Sequence, residues 1–227
     1  MIPPAVYVIV GFGVIFVMSV VLHEVAHGLV AYRCGDPTAY LMGRLTLNPL
    51  KHIDIVYTVL MPAFLLWLGL PVLGGAKPVP VNPYYFRRPV RDDLLVSVAG
   101  VAVNLSIALI LTAVLHLLLW ARLLTWDSPN TIVLGMGIIA NLALFVFNLI
   151  PIPPLDGSHL LRAVLPSSLR EEFTRMGRFG LIIIYALIWL GLGHPIFVVM
   201  RVLWALLLGA SRFEHVLDSF AKLLTGR

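Results

Sequence analysis

Six apolar runs, at about residues 5–32, 53–73, 94–121, 131–150, 180–193 and 195–210, constrain this chain more than any motif does. A helical membrane span needs roughly 17–25 residues. The first, third and fourth runs meet that length. Gly193-His194-Pro195 separates the last two and predicts a helical hairpin. With 60% hydrophobic and 12% charged residues, the chain has about half the charge of a soluble domain. The expected fold is an all-α polytopic membrane protein of about six helices. The net charge of +5 comes from basic residues scattered over loops, with no aromatic-interleaved patch, which argues against a nucleic-acid partner. Cys34, the one cysteine, excludes an internal disulfide and a cysteine-based metal site. Met-Ile-Pro-Pro at the start lacks a basic n-region, so the first helix is expected to stay uncleaved.

Fourteen of the sixteen Lys and Arg fall in the 33–52, 74–93 and 151–179 segments and the tail; Arg122 and Arg201 are the others. All fourteen can be cytoplasmic if the chain leaves at 53 and is back on the same side by about 85. The 53–73 run carries Pro62 and Pro71 and leads into the proline-rich stretch Gly74–Pro83. Such a stretch reads as extended and edge-like. The expectation is a re-entrant segment over 53–83, with a plain span as the alternative. Non-helical backbone at that depth requires a protein or watery cavity around it. This orientation places the N-terminus outside and residues 23–27 within about two turns of the cytoplasmic end.

Those residues read HEVAH. On a helix His23 and His27 stand one turn apart on one face, where two imidazoles can hold zinc. Glu24 between them can act on an attacking water. The bland alternative is two helix histidines bonded to neighbouring carbonyls. Buried ionisable groups in lipid are costly and tend to be functional, which favours the metal. Zinc requires a third protein ligand and an open position. Most remaining acids lie in basic loops or the tail. Asp156 differs, because it follows the fourth run in a helix end broken by three prolines, with Gly157 allowing a turn. It is the candidate third ligand; a simple Pro-Pro-Leu-Asp-Gly turn is the alternative.

These residues resemble the site-2 protease family of intramembrane zinc metalloproteases, in its minimal prokaryotic form without PDZ or CBS domains. HEVAH matches the family's HExxH. NLIPIPPLDG, Asn148 to Gly157, matches its Asn-Pro-(Leu)-Asp-Gly signature. Gly43 to Pro49 with His52 and Asp54, Lys77 to Val81, and Ser97 to Gly100 through Asn104 fit the same branch. The likeness covers about residues 8–165. It implies one Zn2+ held by His23, His27 and Asp156, with Glu24 as general base and Asn148 steadying the intermediate or the substrate backbone. Val101 stands where proline is common, and Ser158-His159 where a second glycine is. His159 is then three residues from Asp156 and either orients it or serves as an alternative ligand.

A catalytic membrane core is expected over 1–165, and a helical hairpin with an amphipathic tail over 166–227. Phe213, Val216, Leu217, Phe220, Leu223 and Leu224 recur at helical spacing in that tail, which is expected on the cytoplasmic surface or as an extension of the last span. The implied function is hydrolysis of peptide bonds in membrane-anchored substrates, such as anchored regulators or signal-peptide remnants, in the cytoplasmic membrane. A substrate helix must unwind to expose a carbonyl, and its freed backbone groups then need partners. Leu41–Leu47 and Lys77–Val81 are expected to form a small membrane-embedded β-hairpin or edge strand that supplies them by strand addition. Thr46, Asn48, Lys77, Val79 and Val81 are the substrate-binding candidates. The lipid bilayer is the other partner, and a homo-oligomer is allowed. The alternatives are a non-cleaving zinc-binding chaperone or scaffold and a metal or proton transporter. Retention of Glu24 disfavours the first, and the lack of two similar halves disfavours the second.

Overall fold

The computed structural model describes residues 3–69 and 74–225. Its regular elements are helices: α1 Pro4–Cys34, α2 Ile55–Trp67, α3 Pro89–Trp120, α4 Pro129–Asn148, α5 Gly157–Val164, α6 Ser167–Met176, α7 Gly180–Leu187, α8 Gly193–Leu208 and α9 Ser211–Thr225. α1, α3 and α4 are each long and apolar enough to cross a membrane. Two bent pairs, Ser168–Phe179 with Ile182–Gly191 (76°) and Gly193–Leu208 with Ser211–Thr225 (108°), raise the candidate spans to at most five. Six expected spans are therefore not reached among the described residues. No strand is present among them either.

The chain forms two compact units, residues 17–100 and residues 1–16 with 101–227. In the first, the second half of α1 is followed by a loop that folds on its own side chains. A single helical turn, Thr38–Leu41, ends on Gly43 at φ +62. The Gly43 amide donates to Tyr40 O and the Arg44 amide to Ala39 O. This helix-stop geometry is why Leu41–Leu47 is not the strand expected of it. Asp54 caps α2 by accepting from the Val56 and Tyr57 amides at 2.9 and 3.0 Å. α2 begins as a π-helical turn, Ile55–Leu60, ahead of Pro62. Proline lacks the amide that a regular ladder needs there. At thirteen residues α2 is about 20 Å long, short of a span. The chain then returns to its start. The Gly75 amide reaches Tyr57 O, Thr58 Oγ1 reaches Gly75 O, and the Lys77 amide reaches His52 O, all within 3.0 Å. Pro71, read as part of this turn, lies outside the described residues.

The second unit is held by apolar packing. Leu115, Ile138, Leu142, Trp204, Phe213 and Val216 are buried together, with the Trp204 and Phe213 rings edge to face at 5.5 Å. The apolar stripe of α9 is thus spent on this core, and the 108° bend shows that α9 does not extend α8. The expected tight turn at Gly193-His194-Pro195 is displaced to Gly191, at φ +104. Pro195 instead sits in the first turn of α8, where its missing amide costs nothing. The tail also bears on the side assigned to it by charge. Arg212 stacks over Trp126 at 4.5 Å and His215 meets Asp127 at 3.2 Å. Both partners belong to the 122–130 loop, which also holds Arg122, one of the two basic residues outside the expected cytoplasmic fourteen. Tail and loop share one end of this unit, so the tail's basic residues cannot be cytoplasmic while Arg122 is not.

Candidate metal centre

His23 and His27 lie on the buried face of α1, 8% and 9% exposed. Their Nε2 atoms are 2.9 Å apart. His27 Nδ1 is 2.7 Å from Val96 O of α3. A carbonyl only accepts, so Nδ1 carries the proton and Nε2 keeps its lone pair. A carbonyl behind an imidazole in this way fixes the tautomer and orientation a metal requires. Gly100, also on α3, stands directly before the pair. A Cβ there would lie 2.4 Å from His27 Nε2 and 2.7 Å from His23 Nε2. The missing side chain lets both imidazoles lie close against α3.

Glu24 turns to a different partner. Its Oε2 accepts from the Val79 amide at 2.8 Å. The Lys77–Val81 stretch is extended but pairs with no strand; individual groups hold it. Arg44 Nη2 donates to Lys77 O at 2.8 Å and Pro78 O at 3.3 Å. The Asn82 amide donates to Asp36 Oδ2 at 2.7 Å. Val79 itself is buried over Gly28, the residue after HEVAH. A Cβ on Gly28 would come 2.7 Å from Val79 Cγ1 and 2.5 Å from Leu45 Cδ2, so this glycine lets both segments lie against α1.

The other expected substrate contacts fare differently. Thr46 Oγ1 accepts from the Asn48 amide, and Asn48 Oδ1 from the Leu50 amide. Both side chains serve the turn they sit in. Lys77 is exposed and Val81 half-buried. Arg44 is one of the basic residues of the 33–52 loop, yet it is 7% exposed. Nothing local in the sequence marks it, because the carbonyls it grips lie more than thirty residues away. Gly28 was legible in principle, as a glycine one residue past the motif on the same apolar helix.

In the other unit, Asn148 ends α4 with Nδ2 donating to Leu144 O at 3.0 Å. Asp156 opens α5, half-buried, with its backbone carbonyl accepting from the His159 amide. His159 Nδ1 lies 3.2 Å from Arg162 Nη2. The guanidinium can only donate, so Nδ1 accepts and Nε2 holds the proton. A neighbouring cation makes His159 a poor second home for a metal ion.

"Putative zinc metalloprotease YwhC" of Bacillus subtilis is 37% identical over 194 residues, covering 84% of this chain and 83% of that protein. The chain belongs to peptidase family M50, the site-2 proteases. The family model itself matches residues 123–191. "Putative zinc metalloprotease Rip2" of Mycolicibacterium smegmatis is 31% identical over 178 residues, and the M50 peptidase described here spans 64% of its length. Rip2 of Mycobacterium tuberculosis is 31% identical over 181 residues, again with 64% of its length spanned. No solved structure matches the chain. Zinc is the metal of this M50 peptidase. The donor chemistry fits it: two imidazoles one helical turn apart, that of His27 with its tautomer fixed by Val96 O, stand beside the Glu24 carboxylate on α1.

Proposed function

We propose that this metalloprotease is an intramembrane endopeptidase that cuts locally unwound segments of membrane-anchored substrates. The observation that carries the reading is the placement of His23, Glu24 and His27 on a 31-residue apolar helix with both Nε2 atoms directed at Gly100. His23 and His27 supply two ligands. Within 17–100 His52, Asp36, Asp54 and Asp92 each hold a backbone group. His52 Nε2 donates to Thr46 O, Asp36 holds Thr38 and Asn82, Asp54 caps α2, and Asp92 accepts from the Arg88 amide. Asp156 is proposed as the third ligand, on the family signature it ends and the need of zinc for three protein donors. His159 is proposed to orient Asp156.

Bound zinc would lower the pKa of a coordinated water and polarise the scissile carbonyl. Glu24 takes the proton from the attacking water and passes it to the leaving amine. Its hydrogen bond to the Val79 amide holds the carboxylate in position until substrate arrives. Asn148 retains a second amide hydrogen beyond its bond to Leu144 O, and with it can steady the developing oxyanion or the substrate backbone. α2 and the returning Gly74–Asn82 stretch act as a re-entrant wall. The substrate pairs along Lys77–Val81, and the site opens toward the cytoplasmic face of the cell membrane.

The test uses purified wild type and Glu24→Gln in lipid nanodiscs, with zinc analysis and a labelled transmembrane peptide. Both forms are expected to bind zinc equally. Cleavage falls about 10²- to 10⁴-fold in the variant, the range general acid–base catalysis supplies. Equal zinc with no cleavage of any helix by wild type contradicts the peptidase reading and leaves a scaffold. Absence of zinc from both contradicts the ligand assignment.

A further inference from the structure

We infer that Arg44 is a positioning residue for Glu24, acting through the backbone of Lys77 and Pro78; this rests on Glu24 being the general base. An extended chain presents the N–H and C=O of alternate residues to one edge. Along Lys77–Val81 those donors are few, because Pro78 and Pro80 have no amide hydrogen. One edge therefore offers no N–H at either proline. On the other, the Lys77 amide is bonded to His52 O and the Val79 amide to Glu24. The segment has no sheet to hold it in place. Its depth and rotation are set by Arg44 gripping two consecutive carbonyls, by His52 O at one end and by Asp36 at the other.

A planar guanidinium suits this work. Both bonds leave Nη2, whose two N–H donors are fixed in the guanidinium plane, so together they define an orientation as well as a distance. With Lys77 O and Pro78 O held, the next amide along the chain is Val79, one residue from the grip, and it is delivered to Glu24 Oε2. The same amide is the central donor that a substrate strand pairing on this edge would use. Glu24 and an incoming substrate carbonyl thus compete for the Val79 N–H. Arg44 keeps that donor in place for both, and pairing of the substrate frees the carboxylate to turn to its water. The clamp and the base are one device with a shared hydrogen bond.

The experiment uses the full zinc-loaded chain in nanodiscs, as wild type, Arg44→Lys, Arg44→Gln, Glu24→Ala and the exposed-charge control Arg33→Gln. Hydrogen–deuterium exchange is read over 77–82, where the two prolines leave Val79 among very few amides. Arg44→Gln and Glu24→Ala are both expected to speed exchange at Val79 at unchanged zinc content, while Arg33→Gln leaves it slow. For Arg44→Gln, kcat falls on the order of 10²-fold, as a misplacement of about 1 Å does, with KM changed far less. Added guanidinium ions restore part of kcat, and Arg44→Lys, holding one carbonyl, lies between. Unchanged Val79 exchange or unchanged kcat in Arg44→Gln overturns the proposal. If Arg44→Gln does not fold, Arg44→Lys decides: full kcat overturns it, and failure to fold makes Arg44 a folding residue and overturns it too. Should wild type cleave nothing, the peptidase reading fails by itself, while the exchange data still judge the Arg44–Val79–Glu24 link.

Discussion

The 17–100 unit buries Asp36, Arg44, Asp92 and the imidazoles of His23, His27 and His52. The larger unit buries no charged side chain among its described residues, and its core is Leu115, Ile138, Leu142, Trp204, Phe213 and their neighbours. One region is fixed by side chains bonded to distant backbone, the other by shape. A peptidase needs the first kind where it works. Extended backbone outside a sheet needs other partners for its amides and carbonyls, and in Lys77–Asn82 these include Arg44, Glu24, His52 and Asp36. The apolar region needs fewer such partners, because most of its backbone is helical and bonds to itself.

The difference predicts that damage to one region should leave the other's property intact. Trp204→Ala has the largest expected effect. Trp204 is fully buried, and the loss is about 3–5 kcal/mol of stability, read as a lowered midpoint of unfolding in mixed micelles. Zinc content and kcat of the molecules still folded should match wild type. A loss of zinc in step with stability would show that the two regions are not separable. Gly100→Ala is the smaller and opposite case. Alanine is the better helix former, which offsets part of the about 1–3 kcal/mol that overpacking costs, so stability should fall far less than in Trp204→Ala. The new methyl would sit 2.4 Å from His27 Nε2, and zinc affinity should drop about 10- to 100-fold, as when a group that orients a ligand is disturbed. Competition with a zinc indicator checks it. Unchanged affinity would mean the imidazoles do not use the space before Gly100.

The same contrast explains what could be read from the sequence. The 94–121 and 131–150 runs anticipate α3 and α4 to within a few residues, because length and hydropathy decide a helix in lipid. His23, Glu24 and His27 were legible because their spacing is itself the helical geometry. Arg44 and Asp36 were not, since their partners are chosen by the fold and lie at Lys77, Pro78 and Asn82. The β-hairpin expectation failed for two local reasons: Gly43 closes a helical turn within Leu41–Leu47, and two prolines strip Lys77–Val81 of ladder donors. The contact of the tail with the 122–130 loop was not legible, because the periodicity of α9 gives it an apolar face without saying which surface that face covers. Trp126 and Asp127 supply that answer, and they are isolated residues in a short loop.

X-ray absorption at the zinc K-edge, on the purified full chain and on His27→Ala, most directly tests the claim that the polar region is a zinc centre. Wild type should show two imidazole nitrogens at about 2.0–2.1 Å with oxygen donors at about 2.0–2.2 Å and no sulfur, and His27→Ala should lose that two-imidazole signature or the metal itself. Zinc bound identically in both proteins, or no zinc retained by wild type, would contradict the account.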